Sequence, residues 1–212
     1  MNWKEVEIVI PSVLSSPGRA DSLRNLLTQI SQQCPGVWVR IFPQHDPRPE
    51  DLAKHAFDVL SAGFRDFSRP WVILIEDDVK LSPHFGERVP PILDEAGDGI
   101  GAVSFFSIKD DVMLKGKRST YEATSRPFAY TQCIAMRKNV AEHWGDYMMK
   151  WYEHKTIYAT PDLSFGYCCD DLGLKIIINL PSLVQHLKMP SAFNHSSFPS
   201  SPTFGMYDSA SE

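Results

Sequence analysis

Trp71-Val72-Ile73-Leu74-Ile75-Glu76-Asp77-Asp78 sets five apolar residues directly against three carboxylates. The apolar run does not alternate, so it reads as a strand buried on both faces, the pattern of a parallel sheet. Three acids in a row do not belong inside such a strand, because unpaired charge in the interior is costly. They stand where the strand leaves the sheet, and in open α/β sheets that carboxyl end is where ligands bind. Clustered carboxylate oxygens suit a hard divalent cation, Mg²⁺ or Mn²⁺, that also holds a phosphate. The plainer alternative is a solvated turn or a helix cap. Just downstream, however, Ser82-Pro83 already supplies an N-cap and a first helical residue.

Strands and helices alternate upstream of this stretch. Val6 to Ile10 reads as a short strand that stops at Pro11, followed by a small-residue loop from Ser12 to Gly18. A helix from Ala20 to Cys34 carries Leu23, Leu26, Leu27 and Ile30 at helical spacing and ends at Pro35-Gly36. Val37 to Phe42 alternates as a second strand, Gln44-His45-Asp46-Pro47 is a turn, and Pro49 to Phe64 is a second amphipathic helix. With Trp71–Ile75 as the third strand, the order is β-α-β-α-β, which implies parallel pairing through right-handed crossovers.

Downstream the pattern is less regular. Phe85 to Ala96 reads as a helix that Pro90-Pro91 must kink or interrupt. Gly101 to Ile108 reads as a strand, Lys109 to Arg126 as a long polar loop, Ala129 to Met136 as a strand and Asn139 to Tyr152 as a helix. Thr160-Pro161 starts another helix that ends at Gly173, and Lys175 to Asn179 is one more buried strand. From Pro190 the chain is Ser/Pro-rich without periodicity. Residues 1–189 are therefore expected to form one catalytic domain, and 190–212 a flexible tail or lid.

Composition bounds the function. At 212 residues one domain with one core is the default. A net charge of -5 gives no global basic field for nucleic acid or an anionic membrane. Cys34, Cys133, Cys168 and Cys169 form no C-x-x-C pair, which suits a reduced, cytoplasmic protein with buried thiols. No apolar run approaches the ~20 residues that span a bilayer. Met1 to Glu5 leads straight into a strand, so neither signal peptide nor membrane anchor is expected.

Around the acids, several residues are placed to bind a nucleotide. Pro11, Ser12 and Val13 leave the first strand's carboxyl end, where small residues allow backbone approach. Arg19 could reach a diphosphate, and Asp46, beyond the second strand, a base or ribose edge. The glycine fingerprint of dinucleotide binders is absent, which argues against NAD.

Three features in chain order carry a resemblance. They are Glu76-Asp77-Asp78 after a buried strand, Asp162 at the head of a later helix, and His186 at the end of Pro181-Ser182-Leu183-Val184-Gln185-His186. From Val6 to His186 the chain resembles the GT-A glycosyltransferases, although Leu187-Lys188 stands where that family often has a glycine. The resemblance implies an α/β, GT-A-like fold: a single Rossmann-like domain with a mostly parallel central sheet flanked by helices. It implies transfer of a sugar from a nucleotide sugar, most simply a UDP-sugar, to an acceptor hydroxyl with Mn²⁺ or Mg²⁺. Asp78 would ligate the metal and His186 would close its shell, imidazole being better suited to Mn²⁺. Glu76 and Asp77 would contact ribose or orient the site. Asp162 would be the base of an inverting reaction, with Asp170 and Asp171 as second choices. The acceptor is open: a glycan, a small molecule, or a modified DNA base in a phage, whose phosphates Lys115-Gly116-Lys117-Arg118 could touch. A nucleotidyltransferase and a non-catalytic nucleotide-sugar-binding module are the other classes.

Overall fold

Five residues with no exposed face, Trp71–Ile75, form β3 near the middle of a seven-stranded sheet. The structure, a computed structural model, describes residues 1–13, 18–44, 60–108, 119–123, 131–153, 161–187, 189, 200–202 and 204. In chain order the elements are β1 (Val6–Val13), α1 (Arg19–Gln33), β2 (Trp38–Gln44), β3, β4 (Val79–Leu81) and α2 (Phe85–Glu95). There follow β5 (Ile100–Ser104), β6 (Ser119–Ala123), β7 (Cys133–Arg137), α3 (Lys138–Glu153), α4 (Pro161–Asp171), β8 (Lys175–Leu180) and β9 (Val184–His186). Of the second helix expected from Pro49, only its end, residues 60–63, is described, and it is helical.

The sheet order is β2-β1-β3-β7-β5-β8-β6. β1 pairs parallel with β2 and β3, and β5 parallel with β8. β7 runs antiparallel between β3 and β5, and β6 antiparallel along β8. The sheet is therefore mostly parallel, as expected. The antiparallel β7 has a consequence for the site: Cys133 pairs with Ile75, so the start of β7, not its end, lies beside the acids.

Four expectations need correction. β1 does not stop at Pro11 but runs to Val13. Beyond Val9 it pairs only with β2, so a residue without an N–H is tolerated on its open side. Pro90 and Pro91 lie inside an uninterrupted α2. Pro90 cannot donate to the carbonyl of Gly86, and the indole N–H of Trp3 takes that acceptor at 2.9 Å. α2 starts at Phe85 with His84 as N-cap; Ser82 instead accepts the His84 N–H in a preceding turn. The stretch from Lys109 to Arg126, whose pattern reads as one long loop, contains β6, whose partner β8 is distant in sequence and invisible to local pattern.

Gly173 does end α4. Its φ of +64° favours glycine, and Gly173 N–H to Asp170 O with Leu174 N–H to Cys169 O completes a Schellman cap. The helical face of the core is built on Trp144 of α3, in edge contact with Phe64 and Phe165 at 4.9 Å each. All four cysteines are free and buried, and burial pushes the Cys34 and Cys168 thiols up to about 12. No described helix is long and apolar enough to cross a membrane. Most of the tail lies outside the described residues. Its Ser201 is buried, with its hydroxyl 2.7 Å from that of Ser182 and its N–H donated to Gln185.

Candidate active site

Glu76, Asp77 and Asp78 leave β3 in a turn that leads at once into β4. The Glu76 N–H still donates to Gln132 O at 3.0 Å, so the turn is stitched to the entrance of β7. β4 pairs antiparallel with β9, Val79 opposite His186, which brings together two segments more than a hundred residues apart. The Leu187 N–H closes this ladder on the carbonyl of Asp78 at 2.7 Å.

The three acids differ in surroundings. Asp77 is 3% exposed. One of its carboxylate oxygens accepts from Ser12 Oγ at 2.6 Å and the other from the Arg19 guanidinium, while its carbonyl accepts from Ser22 Oγ. Asp78, 2% exposed, takes a second Arg19 nitrogen on Oδ2 at 2.8 Å. Its Oδ1 is buried without a hydrogen-bond partner among the described residues. Glu76 is half-buried and points to the same space.

His186 Nε2 lies 3.3 Å from Asp78 Oδ2 and 3.7 Å from Glu76 Oε2. One oxygen of each acid and a ring nitrogen of the histidine all lie within 4.8 Å of one another. Burial, and then the carboxylates of Asp78 and Asp162, hold Glu76 well above the usual carboxylate range. Burial raises Asp78 as well, against the opposing pull of Arg19 and His186. Burial lowers His186, against the pull of Asp78, and so favours the neutral imidazole, the form that binds metal. These features fit a divalent cation. Two crowded carboxylates, one with an orphaned oxygen, and a neutral imidazole gain a common partner in it. The mixed N and O donor set suits Mn²⁺ better than Mg²⁺.

Asp162 lies in the first turn of α4 and accepts a hydrogen bond from Thr131 Oγ1. Its charge contributes to raising Glu76, and the Thr131 bond ties the head of α4 to the entry of β7. Asp170 and Asp171 sit at the exposed far end of α4.

Of the residues expected around a nucleotide, Pro11 and Val13 are strand residues of β1, opposite Phe42 and Gln44. Ser12 and Arg19 are buried and engaged with Asp77, because a buried carboxylate needs such partners. Asp46 lies outside the described residues, as do residues 115–118. Sequence reasoning missed Ser22 and Thr131. Ser22 carried a weak signal: it stands one turn into a helix that starts beside the acids. Thr131 carried none, because its position depends on the antiparallel insertion of β7.

No protein-family model matches the chain, and no curated protein matches it in sequence. Solved structures do match in shape. A glycosyltransferase involved in the glycosylation of the major capsid of PBCV-1 superposes with a TM-score of 0.54 at 11% identity, over 82% of this chain and 80% of that one. A Drosophila beta-1,4-galactosyltransferase 7 mutant, in complex with manganese, UDP-Gal and xylobiose, gives 0.50 at 11% identity, over 98% and 80%. The 4-diphosphocytidyl-2C-methyl-D-erythritol synthase of Anaerococcus prevotii gives 0.49 at 11%, over 84% and 88%. The fold is GT-A-like, and at these identities the likeness extends to the fold alone.

Proposed function

We propose that this chain is a metal-dependent glycosyltransferase that moves a sugar from a UDP-sugar to an acceptor hydroxyl with inversion. The observation that carries this reading is the convergence of Glu76, Asp78 and His186 at the carboxyl end of β3. A GT-A-like sheet that presents this donor set at its ligand-binding edge supports nucleotide-sugar chemistry.

Asp78 and His186 would hold the cation, with Glu76 within ligand reach. Bound there, a divalent cation supplies the Lewis acidity that neutralises the departing diphosphate. Asp162 takes the proton of the acceptor hydroxyl as charge develops on the anomeric carbon. The Thr131 hydroxyl fixes the orientation of that carboxylate, and the first turn of α4 favours its ionised form. Ser12, Arg19 and Ser22 hold the turn on which Glu76 and Asp78 are mounted.

The test is a panel of nucleotide sugars incubated with Mn²⁺ or with EDTA, read by release of the nucleoside diphosphate. Slow hydrolysis of a UDP-sugar is expected with Mn²⁺, lost with EDTA and lost in Asp78→Asn. Release that persists in EDTA, or in Asp78→Asn, overturns the proposal, as does a panel in which no donor is turned over.

A further inference from the structure

We propose that Arg19 and Asp77 form an internal ion pair that sets the charge of the metal centre and with it the relative preference for divalent over trivalent cations. This rests on the reading of Glu76, Asp78 and His186 as metal donors. Asp77 sits between the two candidate acidic ligands in sequence, yet both its carboxylate oxygens already accept hydrogen bonds, from Ser12 and from Arg19. It also lies outside the cluster of facing donor atoms formed by Glu76, Asp78 and His186, and is read as a positioning residue. Arg19 is 7% exposed, and its guanidinium spans Asp77 and Asp78, reaching Asp78 Oδ2 at 2.8 Å and leaving Oδ1 open.

The charges can be counted. Ligands bind a cation deprotonated, so Glu76 and Asp78 bring two negative charges and His186 brings none. Asp77 and Arg19 cancel. Asp162 adds the same charge whichever of these residues is changed. Without Arg19 the centre is one unit more negative; without Asp77 it is one unit less; without both it returns to its native value. A buried charge a few ångströms from the cation acts more strongly on a trivalent than on a divalent ion.

The experiment compares Mn²⁺ with Lu³⁺, an ion of similar size. Free Mn²⁺ is followed by its paramagnetic resonance signal, and Lu³⁺ is titrated in as competitor. No substrate is present and turnover is not read. The preference for Lu³⁺ over Mn²⁺ is expected to rise about tenfold or more in Arg19→Met and to fall by a similar factor in Asp77→Asn. It should return to near the wild-type value in the double variant Arg19→Met/Asp77→Asn. Arg19→Gln, which keeps a donor toward Asp77, replaces Arg19→Met where that variant does not fold. The double variant restores the native net charge while removing Arg19 from Asp78 Oδ2, and it tests whether the two residues act on the cation as a pair. A wild-type protein that binds both ions, with a preference that does not move in either single variant, overturns this inference and leaves the metal site standing. A wild-type protein that binds neither ion overturns both.

Discussion

Asp77 and Asp78 are neighbours of nearly equal burial, and replacing each by asparagine is expected to give opposite signatures. Asp77→Asn leaves the Arg19 guanidinium with Asp78 alone, whose charge burial already disfavours, and places an amide among donors. Breaking a buried pair by removing one member costs about 3–5 kcal/mol. For a chain of this size each kcal/mol lowers Tm by roughly 2–4 °C, so a fall of about 6–20 °C is expected. Asp78→Asn removes a charge that burial disfavours, while Arg19 keeps Asp77. The metal-free Tm of this variant should be unchanged or higher. The signatures reverse with metal. At a hundred times its Kd, Mn²⁺ adds about 2.7 kcal/mol to a protein that binds it only when folded, or roughly 5–11 °C. Wild type should show that rise and Asp78→Asn should not. The assay is a thermal melt near neutral pH with EDTA or with Mn²⁺. The reasoning fails if Asp78→Asn melts as low as Asp77→Asn in EDTA, or if Mn²⁺ raises its Tm as it does that of wild type.

Three further outcomes are expected. Trp3→Phe orphans the Gly86 carbonyl that Pro90 cannot serve and should cost about 1–3 kcal/mol in urea unfolding. In a Pro90→Ala background, where the helix supplies its own donor, the same change should cost clearly less; equal costs would mean that the indole bond does not stand in for the missing helix bond. Asp162→Asn should leave Mn²⁺ and UDP binding intact while lowering turnover about 10²-fold or more, measured as sugar transfer to the acceptor once that is known. Near wild-type turnover would place the base elsewhere.

The last concerns pH. Glu76 and Asp78 titrate above their ordinary values, so protons compete with Mn²⁺ before the usual carboxylate range is reached. Calorimetric Mn²⁺ affinity should fall by about tenfold per pH unit for each proton displaced. Without metal, a raised acid stabilises the fold below its unfolded value and loses that contribution as pH rises through its folded value. His186, lowered, acts in the other direction: its contribution is present above 6.5 and lost as pH falls through its folded value. Glu76→Gln should therefore flatten the acid-side gain in metal-free stability, and an unchanged pH profile would contradict the raised value.

Trp71–Ile75 was legible to the residue because five buried apolar residues ending at a carboxylate admit one placement in an α/β sheet. α1 was legible because its apolar spacing and its Pro35-Gly36 stop agree. The course of β1 through Pro11 was not, since the tolerance of that proline depends on where β3 stops pairing. Pro90 was misread for a related reason: its missing donor is replaced by Trp3, more than eighty residues away. In the site, residue types pointed to Asp78 and His186, and the β4–β9 ladder brings them together. The engagement of Asp77 with Ser12 and Arg19 was hidden, because a run of three acids does not say which of them faces inward. Thr131 depended on the antiparallel β7, which no local pattern announces.

The most direct test is a calorimetric titration of UDP into the protein, once with saturating Mn²⁺ and once with EDTA. Binding is expected with Mn²⁺, weakened by about tenfold or more in EDTA, a difference of at least 1.4 kcal/mol. UDP affinity that is the same in both, or no binding in either, would contradict a metal-dependent nucleotide-sugar site at Glu76, Asp78 and His186.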